Sequence, residues 1–112
     1  MKSESEIKSI IEEILRFRNK RDWGKFHDAK NLAISLSVES SELLELFLWK
    51  NDDEVNVDNL KDELADVFYS ALLLAEKYGL DVKKIIREKL KKNALKYPVK
   101  KSKGSNKKHD EL

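Results

Sequence analysis

Four long stretches with helical spacing of apolar residues, and very little that could interrupt them, constrain the fold of this chain most. Apolar side chains recur at intervals of three and four residues, the pattern of a helix with one buried face. The 112 residues include only three glycines and one proline, too few turn residues for a protein made of many short strands. We therefore predict an all-α fold in which four helices form an antiparallel bundle with short connections.

Capping residues predict where the first two helices lie. The first is expected over about residues 4–20, with Ser3 and Glu6 forming a capping box. Asp28 is the predicted cap of the second helix, which we expect to continue to about Trp49.

The last two helices are bounded in the same way. The third is predicted to begin after a cap at Asp58 and to stop at Gly79, a residue suited to the left-handed turn that follows many helices. The fourth is predicted to begin after Asp81 and to end at Tyr97, because Pro98 disfavours helix in the residue before it.

Charge is distributed unevenly along the chain, although the formal net charge is only +2. Residues 1–82 hold 11 basic and 18 acidic side chains, whereas residues 83–112 hold 12 basic and 3 acidic ones. We predict a helical domain over residues 1–98 and a basic, flexible tail over residues 99–112, which have no apolar periodicity. A solvated lysine-rich segment is the simplest interpretation of the tail, and an electrostatic attraction for polyphosphate is the other.

Composition excludes several classes of protein. Cysteine is absent, so disulfides, thiolate nucleophiles and cysteine-ligated metals are excluded. The longest uninterrupted apolar run, residues 71–75, is far too short to span a bilayer. The first residues do not resemble a signal peptide. We expect a cytoplasmic protein that does not associate with membranes.

Two pairs of acids are the main candidates for chemistry. Glu39 and Glu42 lie on the second predicted helix, and Glu63 and Asp66 lie on the third. A spacing of three residues directs both members of a pair to the same side of a helix. If the helices are antiparallel, all four carboxylates converge. Oxygen ligands without histidine or cysteine suit Mg²⁺, or alternatively Mn²⁺, and Mg²⁺ usually acts on phosphates.

The position of Glu39 distinguishes it from an ordinary surface acid. At 100° per residue it lies within the apolar stripe of its helix, whose members are Leu32, Leu36, Leu43 and Leu46. A carboxylate at such a position is costly unless it is paired or binds a metal. Surface acids and Glu–Lys pairs remain the alternative interpretation of the four acids.

The fourth helix and the first loop carry further candidates. Lys89, Asn93 and Lys96 point in the direction of the apolar side of their helix, so they either snorkel at its edge or donate hydrogen bonds to phosphate oxygens. Trp23 and His27 lie in the loop between the first two helices. Such a loop is either a hydrophobic plug or a platform on which a base stacks.

These motifs together resemble one known family. The chain is similar to the MazG-like all-α nucleoside triphosphate pyrophosphohydrolases, most of all to their small dCTP pyrophosphatase branch, over residues 17–98. The motifs that carry the resemblance are Arg21-Asp22-Trp23, Phe26-His27, Asn31-Leu32, Glu39-x-x-Glu42-Leu43, Phe47-x-Trp49, Glu63-Leu64-Ala65-Asp66-Val67 and Lys89-x-x-x-Asn93-x-x-Lys96-Tyr97-Pro98. The resemblance implies Mg²⁺-dependent hydrolysis of a nucleoside triphosphate to the monophosphate and pyrophosphate, a role in cleaning nucleotide pools, and a homodimer or homotetramer of helical bundles.

The resemblance also implies a role for each matching residue. The implied metal ligands are Glu39, Glu42, Glu63 and Asp66. The implied neighbours of the base and sugar are Trp23, His27, Trp49 and Tyr69, although the family often has its tyrosine one position later, where this chain has Ser70. The implied phosphate contacts are Lys89, Asn93, Lys96 and Tyr97, which can come from a neighbouring subunit.

The mechanism that we hypothesise is metal-assisted hydrolysis. Mg²⁺ would neutralise the triphosphate and lower the pKa of a water molecule that attacks the α-phosphorus. Glu42 or Glu45 would accept the proton, and the sequence does not choose between them. It also leaves open the base, with dCTP and modified nucleotides as candidates, and the choice between dimer and tetramer.

Assembly is predicted from the third helix independently of the resemblance. It has more apolar residues than one bundle face needs, among them Leu60, Phe68, Leu72, Ala75 and Tyr78. We therefore expect a homo-oligomer with this helix in the interface.

Three other functions are compatible with parts of the pattern. A non-catalytic helical module for interaction or nucleotide binding would use the acidic and basic regions as surfaces. A di-iron bundle requires Glu-x-x-His pairs, and neither His27 nor His109 has a glutamate three residues before it. A nucleic-acid binder would use the basic tail, and we do not expect this function.

Overall fold

The computed structural model describes residues 5–112, and these contain helices and turns without any β-strand. The helices are α1 (Glu6–Lys20), α2 (Ala29–Glu45), α3 (Val57–Lys77), α4 (Val82–Lys96) and the single turn α5 (Val99–Ser102). Short 3₁₀ turns lie at Gly24–Phe26, Asp52–Glu54 and His109–Glu111. The predicted all-α class is confirmed.

Two helix starts and one helix end follow the predicted caps. The Asp28 side chain accepts a hydrogen bond of 2.7 Å from the backbone N–H of Asn31, and Asp81 accepts one of 3.0 Å from that of Lys84. Gly79 has a φ of 63°, which an L-residue with a side chain adopts only at a cost. Its N–H donates to the carbonyl of Glu76, as expected of a glycine that terminates a helix.

The predicted starts of the first and third helices were wrong. Ser5 caps α1 by accepting a hydrogen bond of 3.1 Å from the N–H of Lys8, whereas the predicted cap Ser3 lies outside the described residues. Asn56, and not Asp58, caps α3, since its side chain accepts a hydrogen bond from the N–H of Asn59. Asp58 lies in the first turn instead, where a carboxylate interacts favourably with the helix dipole.

The predicted end of the second helix was also wrong. The helix stops at Glu45, four residues before Trp49, because tight turns replace the regular helical bonds from Leu46 onward. Asn51 begins the next turn, and its N–H donates to the Glu54 carboxylate at 2.9 Å. The chain must leave the helical path before that point, and Trp49 adopts a left-handed conformation with a φ of 64°.

The first of two compact units extends to Leu80 and contains α1, α2 and α3. Within it, α3 packs against both of the other helices. Its most buried apolar residues are Leu32 on α2, Leu73 and Ala75 on α3, and Val55 in the connection. Leu73 is only 1% exposed, so the packing centre lies towards the C-terminal half of α3.

The second unit, Asp81–Leu112, contains α4 and α5. Beyond α4, the Ser102 hydroxyl donates a hydrogen bond of 3.1 Å to the carbonyl of Tyr97, and the Tyr97 ring meets the His109 ring edge-on. The domain boundary at residue 98 and the flexibility of residues 99–112 stay predictions. No helix within residues 5–112 combines the length and the apolar character needed to cross a bilayer.

Candidate metal centre and adjoining cavity

Three carboxylates from two helices meet at one point of the first unit. Glu39 comes from α2, and Glu63 and Asp66 come from successive turns of α3. One carboxylate oxygen of each lies within 4.8 Å of the other two. We call these three residues the acidic cluster. The structure thus brings together three of the four predicted metal ligands, in the geometry that a single cation could bridge.

The fourth predicted ligand, Glu42, lies beside the cluster. The pKa of Glu39 is raised from 4.5 to about 7, chiefly by burial and secondly by the charges of Glu42 and Asp66. Burial followed by the charge of Glu42 also raises the pKa of Glu63. The charge of Glu42 thus acts on members of the cluster from both helices, Glu39 on α2 and Glu63 on α3.

Two oxygens in the cluster have no hydrogen-bond partner among the described residues. They are Oε2 of Glu39 and Oε2 of Glu63, and both are buried. A buried carboxylate oxygen without a donor carries a desolvation cost that nothing in its surroundings offsets. A divalent cation would relieve this cost and the mutual repulsion of the acids together. All donors are hard oxygens, so the cluster fits Mg²⁺ or Mn²⁺.

A cavity of about 530 Å³ adjoins the acidic cluster. Its walls are formed by Ile10, Glu13, Ile14, Phe17, Trp23, His27, Asp66 and Tyr69. Asp66 therefore belongs to both the cluster and the cavity wall. The volume lies in the range of ordinary ligand pockets, and the mostly apolar walls with a few polar groups are typical of such sites.

His27 and Tyr69, two residues of the cavity wall, each carry a buried polar atom without a partner within residues 5–112. Nδ1 of His27 and the Tyr69 hydroxyl are buried and have no hydrogen-bond partner among the described residues. Burial and the nearby Arg18 charge lower the pKa of His27, so the imidazole is neutral at pH 7. Burial raises the pKa of Tyr69 and keeps its hydroxyl protonated. No partner among the described residues offsets the desolvation of these two atoms.

The loop after α1 holds Trp23 against the cavity. The backbone N–H of Trp23 donates to the carbonyl of Arg18, and the Trp23 ring meets the Phe17 ring edge-on at 5.9 Å between centroids. The Arg21 guanidinium covers the Phe17 ring at 3.7 Å from its centroid. A Cβ at Gly24 would lie 3.4 Å from Nε of Arg18, so glycine gives the loop room for this close approach.

The structure does not gather every predicted site residue around this cavity. Trp49 is outside its walls and is 99% exposed. Glu45 is exposed at the end of α2. The predicted phosphate contacts lie in the second unit: Lys89 and Lys96 are exposed on α4, and Asn93 and Tyr97 are half-buried.

Glu13 is a cavity residue that the sequence interpretation missed. It lies three residues after Ile10 and four before Phe17, so the three share one side of α1. An acid between two apolar residues at these spacings was a detectable signal. It became informative only once the structure showed that Glu13 lines the same cavity as Asp66 and Tyr69.

The predicted resemblance is confirmed by comparison with known proteins. A model of the MazG-like family matches residues 34–112. The chain is 36% identical over 104 residues to dCTP pyrophosphatase 1 of Rattus norvegicus, and 34% identical over the same length to that of Homo sapiens. These alignments cover 86% of this chain and 61% of each relative, so the chain spans about three fifths of their length.

A solved structure is similar over nearly its whole length. The crystal structure of a pyrophosphatase from Archaeoglobus fulgidus matches with a TM-score of 0.80 and 31% sequence identity, covering 88% of this chain and 97% of that one. The chain belongs to the MazG-like family.

Proposed function

We propose that this protein is a Mg²⁺-dependent nucleoside triphosphate pyrophosphohydrolase, which converts a (d)NTP to the monophosphate and pyrophosphate and so cleans the nucleotide pool. One observation carries the proposal: an acidic cluster with two buried, unpartnered carboxylate oxygens adjoins a cavity with aromatic walls, and Asp66 belongs to both. The names of the similar proteins, dCTP pyrophosphatase 1 and a pyrophosphatase, support the same reaction.

The acidic cluster would hold the metal ion. Glu39, Glu63 and Asp66 offer the converging oxygens, and Glu42 adds a fourth carboxylate beside them. When bound, Mg²⁺ supplies positive charge against the triphosphate and lowers the pKa of water. The chain's own contribution is to hold these acids together against their repulsion, through the packing of α2 against α3.

Proton transfer is assigned to one of two glutamates on α2. Glu42 lies beside the cluster, within reach of the Glu39 and Glu63 carboxylates. Glu45 follows one turn later on the same side of the helix. The neighbourhood of Glu42 favours it as the base that accepts a proton from the attacking water, because a general base must lie within hydrogen-bond reach of that proton.

The cavity would hold the base and sugar. Trp23 offers an aromatic face, and the unpartnered atoms of His27 and Tyr69 offer hydrogen bonds. Trp49 would complete the base contact from outside the cavity, since an exposed tryptophan in a left-handed conformation is a strained arrangement of the kind found at functional sites. Lys89, Asn93, Lys96 and Tyr97 are proposed to bind the phosphates, from the same subunit or a neighbouring one.

The remaining predictions complete the proposal. We propose a homodimer or homotetramer, a cytoplasmic location, and no nucleic-acid partner. Substrate candidates are dCTP and modified nucleotides, and the names of the relatives favour dCTP.

The direct test is pyrophosphate release from a panel of nucleoside triphosphates with and without Mg²⁺. We expect release that depends on Mg²⁺ and is lost on addition of EDTA. Glu63→Gln should abolish it, whereas the matched control Asp62→Asn, one residue earlier and outside the cluster, should retain it. Absence of pyrophosphate from every triphosphate would refute the proposed function.

A further inference from the structure

The cavity wall contains one polar side chain to which neither the metal site nor the proposed sugar contacts assign a role. Glu13 faces the cavity from α1, in a wall that also includes Ile10 and Phe17. It is exposed to solvent, and it forms no ion pair within residues 5–112. It also lies outside the acidic cluster, so its charge is free to interact with a ligand in the cavity.

The polar groups around the cavity differ in what they can offer. The Tyr69 hydroxyl can both donate and accept a hydrogen bond, and the neutral imidazole of His27 has one donor and one acceptor nitrogen. Both groups can therefore form a hydrogen bond with a ligand group that donates and with one that accepts. The Glu13 carboxylate can only accept. Among the other polar groups of the wall, Asp66 of the cluster likewise only accepts, and the indole N–H of Trp23 only donates. Glu13 is thus the acceptor-only group of the wall that lies outside the acidic cluster.

A nucleobase presents donor and acceptor groups along its edges. The amino group of cytosine is a donor, whereas uracil and thymine place a carbonyl oxygen at the same position of the ring. A carboxylate would form a charge-assisted hydrogen bond with the amino group. With a carbonyl at this position, a lone pair of the carboxylate would face a lone pair of the carbonyl oxygen, and the two groups would repel each other. A carboxylate in the cavity wall, such as that of Glu13, therefore distinguishes the two classes of pyrimidine when this position of the ring faces it.

We propose that Glu13 is a specificity-determining residue, which selects nucleotides whose base carries an exocyclic amino group over those with a carbonyl in its place. The proposal rests on the proposed function, since it assumes that the cavity receives the base. Glu13 acts on binding in this account and takes no part in the chemical step, because it does not belong to the acidic cluster.

The test compares dCTP with dUTP, which share the ring and differ in the group at C4 and in the proton on the adjacent N3. Wild type, Glu13→Gln and the control Glu12→Gln, whose altered residue does not line the cavity, are assayed for kcat and KM on both substrates. The same proteins are titrated by calorimetry with the non-hydrolysable α,β-imido analogues in the presence of Mg²⁺. The glutamine amide can donate a hydrogen bond to the uracil carbonyl, so this variant tests the polarity without removing the side chain.

We expect wild type to favour dCTP, and Glu13→Gln to reduce the ratio of kcat/KM for dCTP over dUTP by roughly 10- to 100-fold, as loss of a charge-assisted hydrogen bond predicts. The change should lie mainly in KM and in the dissociation constants of the analogues. Glu12→Gln should keep the wild-type ratio. Equal ratios in all three proteins, or no preference in the wild type, would overturn the assignment of Glu13.

The calorimetry separates this proposal from the proposed function. If no triphosphate is hydrolysed but the analogue affinities shift as expected, the proposed reaction is wrong and the role of Glu13 stands. If neither analogue binds to the wild type, both are overturned.

Discussion

Asp66 on α3 shares a cavity wall with His27, which lies in the loop before α2. Asp66 is also a member of the acidic cluster. A ligand that fills this cavity therefore contacts His27 and also lies next to the carboxylates of the cluster. This relationship suits an elongated substrate with an uncharged, ring-shaped end and a charged end that binds a metal, as a nucleoside triphosphate has.

Replacing Glu39 by Gln is expected to weaken Mg²⁺ binding and hydrolysis by at least about 100-fold. Residues that only hydrogen-bond to a metal ligand already contribute about 10–100-fold to metal affinity or activity, and a ligand itself should contribute no less. The variant should fold, because the substitution removes a charge from a repelling group of acids. Calorimetric titration with Mg²⁺ and the rate of pyrophosphate release measure the two effects. The control Glu12→Gln should behave as wild type, and normal turnover of Glu39→Gln at saturating Mg²⁺ would remove Glu39 from the ligand set.

The raised pKa of Glu39 predicts how stability depends on pH without metal. The folded state holds this proton up to about pH 7, whereas the unfolded chain releases it near 4.5. The charged carboxylate therefore destabilises the fold fully above about pH 7, and this penalty disappears as the pH falls towards 4.5. In EDTA, Glu39→Gln should melt a few degrees above wild type at pH 8 and at the same temperature as wild type near pH 4.5. A difference in melting temperature that is constant between these pH values would contradict the raised pKa of Glu39.

The proposed phosphate contacts predict a boundary at Pro98. Lys89→Met and Lys96→Met, on α4, should each remove a charge-assisted contact of roughly 1.5–3 kcal/mol, which corresponds to roughly 10- to 150-fold in kcat/KM. Methionine retains the packing of the aliphatic stem, so a lysine that only snorkels would tolerate the change. The controls Lys100→Met and Lys101→Met, on α5, should have little effect. Equal, mild losses of kcat/KM on both sides of Pro98 would mean that these lysines attract the substrate only through their long-range charge and do not contact the phosphates.

Assembly is predicted from exposed apolar residues on α3. Of the residues that the sequence placed in an interface, Ala75 is buried within the subunit, and Phe68 remains 62% exposed. Covering this ring would stabilise an oligomer through burial of apolar area. Light scattering at micromolar concentration should give a multiple of the 13.1 kDa chain mass, and Phe68→Glu should lower it. The control Glu76→Gln on the same helix should not, and a monomeric wild type would exclude this interface.

Local chemistry made parts of this fold predictable. Asp28, Gly79 and Asp81 cap helices through bonds to backbone groups only three residues away in the sequence. These caps could therefore be identified without knowledge of the packing. The convergence of Glu39 with Glu63 was predictable because the helical repeat and an antiparallel pair dictate it.

Features that depend on competing caps or on packing could not be predicted. Asn56 and Asp58 are both good caps two residues apart, and their intrinsic preferences do not choose between them. The end of α2 before Trp49 depends on the turn that Asn51 begins. The place of Glu13 in the cavity depends on how α1 packs against α3, which no local pattern determines.

Hydrolysis in water enriched in ¹⁸O tests the central claim most directly, because the position of the label identifies the phosphorus that water attacks. The reaction is run with dCTP and Mg²⁺, and the products are analysed by mass spectrometry. Attack at the α-phosphorus beside the acidic cluster predicts dCMP that carries one ¹⁸O atom and pyrophosphate without label. Label in the pyrophosphate, formation of dCDP with phosphate, or no product at all would contradict the account.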